Sequence, residues 1–248
     1  MKIRNPRTRN HLKIPRKFKV LEVGGGHNPH PRSNIIADKF VESNYHRSGD
    51  IKVYKHQEFI QADGEDLPFD DKEFDYVICN QVLEHVENPK KFISELSRVA
   101  KAGYLEVPSM VGEYIHPKKS HIWLILEIDE KIVMVDKETA SFKPTHDLGD
   151  IFLDFLPKHS IGFKITQYTH GNIQTIRYEW KGEIDLVVNP TEDKYLSYFN
   201  NKWTEAQIED MIPKKSIAGE FWEATKAFSY VLLCVFKSRI IKKLKWNL

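Results

Sequence analysis

The sequence predicts an α/β fold built on a mainly parallel sheet, and two patterns predict it. Between residues 19 and 108, apolar runs of strand length alternate with turn-rich or helical stretches, as in successive βαβ units. The first run leads into three consecutive glycines, Gly24 to Gly26. Open α/β sheets bind ligands beside such a turn, at the carboxyl end of the first strand. The chain of 248 residues suffices for one large domain with additions, but is short for two.

The elements of the first half follow from the spacing of apolar residues. Five strands are predicted, over residues 19–23, 35–37, 58–62, 76–80 and 103–107. Between the last two, Asn88-Pro89 starts a helix whose buried face carries apolar residues three and four positions apart. These residues are Phe92, Ile93, Leu96, Val99 and Ala100.

The second half is predicted to add a hairpin, closing strands and helices. Apolar runs at residues 122–128 and 132–136 flank Asp129-Glu130 and predict the hairpin. The closing strands are predicted at residues 163–169, 173–179 and 184–188, and residues 191–246 are predicted to be helical.

Composition excludes several classes of protein. Apolar residues make up 41% and charged residues 29% of the chain, so it is neither collagen-like nor wholly disordered. Cys79 and Cys234 are its two cysteines, which disfavours a disulfide scaffold or zinc ribbon and favours the cytosol. No apolar segment follows the basic amino terminus, so a secretory signal is not expected. The most apolar stretch, residues 227–236, is too short to span a bilayer.

The charges are unevenly distributed. Residues 1–19 carry eight Lys or Arg and residues 237–248 carry five, with no acidic residue in either segment. The remaining 24 basic and 35 acidic residues give residues 20–236 a net charge of −11. The cationic ends are therefore either solvated tails or contacts to a phosphate-bearing or anionic-membrane partner.

Four acidic residues, Glu22, Asp38, Asp63 and Glu65, lie at or just beyond the ends of predicted strands, so they should converge on one cleft. Such a cluster repels phosphate and suits a cationic ligand. Asp38 ends the second strand, where a carboxylate accepts hydrogen bonds from ribose hydroxyls. A dinucleotide is disfavoured because Pro29 stands where G-x-G-x-x-G needs its last glycine. S-adenosylmethionine fits, since it has a ribose and a sulfonium but no phosphate.

The sequence resembles the class I S-adenosylmethionine-dependent methyltransferases, specifically their type-11 group. An ordered series of motifs over residues 19–108 carries the resemblance. The motifs are Leu21-Glu22-Val23-Gly24-Gly25-Gly26, Ala37-Asp38, Ala62-Asp63-Gly64-Glu65-Asp66-Leu67-Pro68-Phe69, Phe74-Asp75-Tyr76-Val77-Ile78, Val82-Leu83-Glu84-His85-Val86 and Glu95-Leu96-Ser97-Arg98-Val99. Two features depart from the family: Asn28 replaces the third glycine of E-x-G-x-G-x-G, and the first helix is reduced to little more than a turn.

The resemblance implies a Rossmann-like, doubly wound, seven-stranded and mostly parallel sheet with an inserted β-hairpin lid and a helical C-terminal extension. A basic N-terminal segment would cover residues 1–18 and the methyltransferase domain residues 19–190. The substrate lid or insertion would be residues 109–160, and the extension residues 191–248.

The resemblance also assigns residues to the cofactor, and each lies at or just after a predicted strand. They are Glu22 with Gly24, Gly25 and Gly26 for the methionine end, Asp38 for the ribose, Asp63, Gly64 and Glu65 for the adenine, and Asn80 and Gln81 along the cofactor. The implied cofactor is S-adenosyl-L-methionine, and its product is S-adenosyl-L-homocysteine.

Methyl transfer to a hydroxyl or ammonium group needs a base, and three histidines are candidates. His85 follows the fourth strand at the mouth of the cleft, where it either takes a proton or packs at the next helix start. His121 precedes the hairpin and His146 stands beside Asp147, and both have ordinary loop positions as the alternative. No metal site is predicted, because His116 and His121 lie five residues apart without a matching Cys or carboxylate pattern.

The resemblance implies transfer to oxygen or nitrogen of a small molecule or saccharide. The short loop after the first strand resembles a subgroup associated with cell-surface saccharide synthesis, so a cell-surface glycan or lipid-linked precursor is one acceptor class. One alternative is a nucleic-acid methyltransferase, which the acidic body and the lack of an N-P-P-Y motif disfavour. Another is a non-catalytic scaffold or partner subunit that binds the cofactor.

The C-terminal segment, residues 221–248, has two interpretations. Its basic residues alternate with apolar ones as in a helix that lies on an anionic bilayer. This interpretation predicts a cytoplasmic protein with peripheral contact at the inner membrane face. The alternative is a packed terminal helix or a homodimer contact with a solvated cationic face. The basic residues are Lys237, Arg239, Lys242, Lys243 and Lys245.

Overall fold

The computed structural model describes residues 1–41 and 49–246, with side chains as far as residue 237. The described strands are β1 (Lys2–Arg4), β2 (Val20–Val23), β3 (Ile35–Asp38), β4 (Glu58–Gln61), β5 (Tyr76–Asn80), β6 (Ala102–Pro108), β7 (Trp123–Ile128), β8 (Lys131–Asp136), β9 (Thr175–Lys181) and β10 (Leu186–Val188). The described α-helices are α1 (Pro89–Val99), α2 (Met110–Ile115), α3 (Leu156–His159), α4 (Ile161–His170), α5 (Asp193–Asn200), α6 (Glu205–Met211) and α7 (Ile217–Trp246). A π-helical turn, Asp150–Phe155, precedes α3.

The central sheet has seven strands in the order β1-β9-β6-β5-β2-β3-β4. Strands β2 to β6 run parallel, whereas β9 is antiparallel to both β6 and β1. The five predicted strands are confirmed, with ends that differ by no more than one residue. Strands β2 and β5 are buried on both faces, as the apolar runs of parallel sheets are.

The edge strand β1 lies in the basic N-terminal segment, for which a solvated tail and an anionic partner were the two interpretations; residues 2–4 belong to the sheet. Strand β1 pairs with β9 at the edge of the sheet. Lys2 forms an ion pair with Glu127, and Nε of Arg4 lies 2.6 Å from Oε2 of Glu179. Lys2 and Arg4 thus have acidic partners inside the fold, which the linear charge pattern did not reveal.

Two of the predicted closing strands are also corrected. Residues 163–169 lie in helix α4, because the Ser160 hydroxyl caps its first turn by accepting a hydrogen bond from the Phe163 amide at 3.1 Å. Helix α4 packs on α7 rather than pairing in a sheet. Residues 184–188 contain β10, but this strand joins β8 in a separate three-stranded sheet.

The predicted hairpin is confirmed as β7 and β8. Asp129 and Glu130 connect the two strands with φ values of 50° and 59°, the left-handed pair that a two-residue hairpin turn requires. Both faces of the hairpin are buried. One face packs on the main core through residues such as Trp123, and the other packs on α5 through residues such as Phe199. Its role as a substrate lid stays a prediction.

Three predictions about helices are confirmed. Asn88 caps α1 by accepting a hydrogen bond from the Lys91 amide at 3.0 Å, and Pro89 occupies the first turn. Residues 24–34, all of them described, contain no helix, so the shortened first helix is confirmed. The helical extension is confirmed as α5, α6 and α7.

Helix α7 exposes several large apolar side chains, among them Phe221, Trp222, Leu233 and Phe236. Within the described part of the chain, no helix combines the length and apolarity needed to cross a bilayer. The side chains of Arg239, Lys242, Lys243 and Lys245 lie outside the described residues. The bilayer contact and the homodimer contact of this segment therefore stay predictions.

Candidate active site

A cavity of about 160 Å³ opens at the carboxyl ends of β2, β3, β4 and β5. The ends of parallel strands meet at one edge of the sheet, so residues distant in sequence share this cavity. Seven of the ten predicted cofactor residues line it. They are Gly24, Gly26, Asp38, Asp63, Gly64, Glu65 and Gln81. Glu22, Gly25 and Asn80 are not among the lining residues.

Glu22 was predicted to hold the methionine end of the cofactor, and it does not line this cavity. Its carboxylate is buried and accepts hydrogen bonds from the His30 amide at 2.7 Å and the Ser33 hydroxyl at 2.6 Å. Burial raises the pKa of Glu22, which these hydrogen bonds and the nearby Arg9 counteract. Glu22 therefore fixes the loop that follows the glycine turn. Gly25 is buried at the same place, since a Cβ there would lie 2.8 Å from Cγ2 of Ile36.

Two carboxylates face the cavity from neighbouring strand ends. Oδ1 of Asp38 accepts a hydrogen bond from the Phe40 amide at 3.0 Å. Asp63 accepts one from the Glu65 amide at 3.0 Å and pairs with Nζ of Lys39 at 2.7 Å. Burial raises the pKa of Asp63, but the hydrogen bonds from Lys39 and Glu65 outweigh it and hold this pKa below its usual value. The Lys39 side chain is 54% exposed, so a ligand can displace it from Asp63.

The loop after β5 closes the other side of the cavity. Gln81 has a φ of 57°, a left-handed conformation that is unusual outside glycine, and its amide donates to the Glu106 carbonyl at 2.7 Å. Asn80 ends the strand with its buried Oδ1 atom lacking a hydrogen-bond partner within the described residues. Backbone strain and an unpaired polar atom are both typical of functional sites.

A cluster of Glu84, His85 and His121, here called the Glu–His cluster, borders the cavity through His85. Oε1 of Glu84 lies 4.0 Å from Nε2 of His85 and 3.9 Å from Nε2 of His121. The two imidazole rings meet edge to face with centroids 4.7 Å apart. Glu84 is fully buried, and neither of its carboxylate oxygens has a hydrogen-bond partner within the described residues.

Other groups orient both rings of the Glu–His cluster. Nδ1 of His85 donates to the Ser120 carbonyl at 2.9 Å, and Nδ1 of His121 donates to Oε2 of Glu113 at 2.7 Å. Glu113 is held in turn by Lys137 and by the Lys118 amide at 2.8 Å. Because each Nδ1 faces an acceptor, each Nε2 is the atom turned toward Glu84.

The acidic groups around the cluster have opposite pKa shifts. Burial raises the pKa of Glu84 to about 8, and the carboxylates of Glu113 and Glu106 add to the rise. Burial also raises the pKa of Glu113, but its hydrogen bonds from His121, Lys137 and the Lys118 backbone outweigh it and lower this pKa. His121 thus lies between a paired carboxylate, Glu113, and an unpaired one, Glu84.

Two of the three predicted base candidates come together, and the third does not. His85 and His121 share the cluster, whereas His146 is exposed and contacts the adjacent Thr145 hydroxyl at 3.1 Å. Glu84 and Glu113 were not selected from the sequence as functional residues. Glu84 could have been selected from the sequence, because it stands next to His85 just after a predicted strand. Nothing in the sequence pairs Glu113 with His121, since their contact depends on how α2 packs.

Comparison with known proteins identifies the domain that carries this site. Residues 36–105 match the family described as Methyltransferase domain. The chain contains a methyltransferase domain. The match runs from β3 to β6 and includes Asp38, Asp63 and the Glu84-His85 pair.

Relatives match this methyltransferase domain over different lengths. An uncharacterised protein of Methanocaldococcus jannaschii is 47% identical over 24% of this chain, and the match spans about a third (32%) of that protein. The ubiquinone biosynthesis O-methyltransferase of Rickettsia typhi is 28% identical over 75% of this chain and 74% of its own. A crystal structure of a S-adenosylmethionine-dependent methyltransferase from Thermotoga maritima, described as a possible histamine N-methyltransferase, aligns with 20% identity and a TM-score of 0.31. It covers 41% of this chain and 48% of that chain.

The methyltransferase domain implies S-adenosylmethionine, and the cavity residues fit it. Asp38 and Asp63 offer acceptors for hydroxyl and amino hydrogens, and the acids that line the cavity favour a cationic sulfonium. A Cβ at Gly24 would overlap Cγ2 of Val82, so the turn after β2 can lie against Val82 only because this residue is glycine. The cavity volume of about 160 Å³ is below the roughly 300–1,000 Å³ of ligand pockets in general, and the cavity is open to solvent on one side.

Proposed function

We propose that this protein transfers the methyl group of S-adenosylmethionine to an oxygen or nitrogen atom of a small-molecule acceptor that binds beside His85. The observation that carries the proposal is one cavity lined by the carboxylates of Asp38 and Asp63 and by the imidazole of His85. Methyl transfer to a protonated acceptor requires such an arrangement, because the methyl donor and the group that promotes loss of the acceptor proton must lie next to each other.

On the cofactor side, the bound group supplies an electrophilic methyl carbon on a sulfonium. The carboxylate of Asp38 accepts hydrogen bonds from the ribose hydroxyls, and Asp63 accepts from the adenine amino group. The turn at Gly24 to Gly26 brings its backbone against the methionine end. Glu22 supports that turn through His30 and Ser33 rather than by contact with the cofactor.

On the acceptor side, the Glu–His cluster promotes loss of the acceptor proton. A hydroxyl is a weak nucleophile until its proton is removed or polarised, and the cluster is the group of titratable side chains that reaches the cavity through His85. The remaining requirement is orientation, since displacement at the methyl carbon is in line. Val86 and Phe92 give the cavity an apolar wall on the side of His85 and Gly64.

The acceptor that we propose first is a small molecule with a phenolic hydroxyl. The name of the Rickettsia typhi relative supports this choice, since it is a ubiquinone biosynthesis O-methyltransferase. Saccharide hydroxyls, including those of glycans and lipid-linked precursors, form the second class, and amines form the third.

The cofactor half of the proposal is tested by isothermal titration with S-adenosylmethionine and S-adenosylhomocysteine. We expect saturable binding of both and none of NAD. Asp38→Asn should bind S-adenosylhomocysteine at least about tenfold more weakly, because hydrogen bonds to a charged group contribute roughly 1.5–3 kcal/mol. Asp66→Asn is the matched control, since Asp66 is exposed and lies outside the cavity lining. Absence of binding at millimolar ligand would refute the proposal.

The transfer half is tested by measuring S-adenosylhomocysteine formation with phenolic, saccharide and amine acceptors. Turnover that depends on the acceptor supports the proposed function. Cofactor binding without turnover in any class would favour the non-catalytic scaffold instead.

A further inference from the structure

We propose that the Glu–His cluster binds one divalent transition-metal ion through Oε of Glu84 and the Nε2 atoms of His85 and His121. The three donor atoms lie within 4.8 Å of one another. Two neutral imidazole nitrogens and a carboxylate oxygen form the donor set of open catalytic zinc sites, and cobalt and manganese accept the same donors. The binding of the ion stands on these residues alone, whereas its chemical role rests on the proposed function.

The burial of Glu84 is the first argument for an ion. Its side chain is fully buried, and neither carboxylate oxygen has a hydrogen-bond partner within the described residues. A buried carboxylate without a partner is costly. The nearest histidine nitrogens, at 3.9 and 4.0 Å, are too distant for hydrogen bonds to Glu84. An ion among the three donors would satisfy the Glu84 carboxylate.

The orientation of the two rings is the second argument. Each ring donates its Nδ1 proton to an oxygen, His85 to the Ser120 carbonyl and His121 to the Glu113 carboxylate. Metal-binding histidines are oriented in this way, because the outer hydrogen bond fixes the tautomer and directs the other nitrogen at the ion. Glu113 is itself held by Lys137 and the Lys118 amide, so it is a positioning residue.

The spacing of the donors is compatible with an ion after small side-chain rotations. Donors at about 2.0–2.1 Å from a common tetrahedral centre are about 3.3 Å apart. The Glu84–His separations of 3.9 and 4.0 Å must therefore shorten by roughly 0.6 Å, and the two histidine donors, which lie within 4.8 Å of each other, by up to roughly 1.5 Å. Three protein ligands leave at least one coordination position open. His85 lines the cofactor cavity, so we place this open position on the acceptor side.

The ion would act as a Lewis acid on a hydroxyl acceptor and lower the pKa of that hydroxyl. The acceptor then gives its proton to solvent. A bond forms between the acceptor oxygen and the methyl carbon while the bond from that carbon to sulfur breaks, and the electron pair stays on sulfur. The charges balance because the sulfonium becomes a neutral thioether and the acceptor becomes a neutral ether.

The test uses the full chain without a histidine tag, stripped with chelator and titrated with cobalt(II). We expect one ion per chain, with visible d–d absorption bands that report nitrogen and oxygen ligands. Glu84→Gln and His121→Gln should each weaken cobalt binding at least tenfold. His116→Gln is the matched control, because His116 lies near His121 in sequence but outside the cluster, and it should bind cobalt as the parent does.

Two further readouts separate this proposal from the proposed function. Titration with S-adenosylhomocysteine should give the same affinity in the parent, Glu84→Gln and His121→Gln proteins, which also shows that the variants fold. Glu113→Gln should keep one cobalt ion per chain but bind it more weakly. No cobalt binding at millimolar concentration, or equal binding by the parent and both ligand variants, would overturn the metal site whether or not the cofactor binds. Failure of S-adenosylhomocysteine binding with intact cobalt binding would overturn only the proposed function.

Discussion

Gly24 lies directly against Val82, so that a Cβ built at Gly24 would overlap the Cγ2 atom of Val82. Gly24 also has a φ of 73°, in the left-handed region that side chains disfavour. Its amide donates to the Ala37 carbonyl at 2.8 Å, which ties the turn after β2 to the end of β3. One glycine thus lets the β2 turn and the loop after β5 meet over the cavity.

Replacement of Gly24 by alanine should therefore cost both stability and cofactor affinity. The left-handed backbone alone costs roughly 1–2 kcal/mol with a Cβ present, and the overlap with Val82 adds to it. We expect Gly24→Ala to lower the free energy of unfolding by about 2–4 kcal/mol and to abolish S-adenosylhomocysteine binding. Urea unfolding and isothermal titration measure the two effects.

Gly182→Ala separates the two causes. Gly182 has a similar φ of 79°, but nothing lies within 4 Å of a Cβ built there. This control should lose only the backbone contribution of roughly 1–2 kcal/mol and should keep its affinity for S-adenosylhomocysteine. If both variants lose the same stability and both bind, the contact between Gly24 and Val82 does not shape the cavity.

His30 makes the loop after the glycine turn sensitive to pH. Burial lowers the pKa of His30 from 6.5 to about 4, and the charges of Arg9 and Arg32 contribute. Its Nδ1 accepts a hydrogen bond from the Arg32 amide at 3.2 Å, a role that a protonated ring cannot fill. The His30 amide in turn donates to Glu22, so protonation of the ring should loosen the support of the turn.

The sign of the effect follows from proton binding. Between pH 6.5 and about 4 the unfolded chain binds the His30 proton and the folded chain does not, so stability is lost as the pH falls. We expect His30 to account for a loss of about 2 kcal/mol between pH 7 and pH 5. In urea unfolding, His30→Gln should show a pH-dependent loss that is smaller by this amount. His27→Gln, at an exposed position of the same loop, should retain the parental dependence.

The parallel strands and the carboxylates at their ends could be predicted because each depends on local sequence. Strand β5 reads as a continuous apolar run since it is buried on both faces, and Asp38 and Asp63 follow from the rule that strand ends share an edge. Glu22 also lies at a strand end, but its carboxylate accepts a hydrogen bond from the Ser33 hydroxyl and does not line the cavity. Position at a strand end does not fix the direction of a side chain.

The parts that escaped prediction depend on contacts between distant segments. Helix α4 alternates apolar and polar residues as a strand does, and only its cap at Ser160 and its packing on α7 make it helical. Glu113 meets His121 because the short helix α2 packs beside the hairpin. Strand β1 was not predicted because its sequence is rich in charge, and the partners of those charges, such as Glu179, lie far along the chain. Tertiary packing outweighs local pattern in each case.

Arg7 gives a test of whether the N-terminal segment is docked as the structure describes. Its guanidinium lies 4.3 Å from the ring centroid of Tyr168 and donates to the hydroxyl of that residue, while the Tyr168 ring lies 5.0 Å from that of Tyr230. Arg7 therefore connects the N-terminal segment to α4 and, through Tyr168, to α7.

Arg7→Ala should lower the free energy of unfolding by about 1–2 kcal/mol, because a cation over an aromatic face and its packed stem are both lost. Lys13→Ala removes the same charge from an exposed position and should change stability by less than about 0.5 kcal/mol in urea unfolding. Equal effects of the two substitutions would mean that the N-terminal cations act only through net charge, as a solvated tail would.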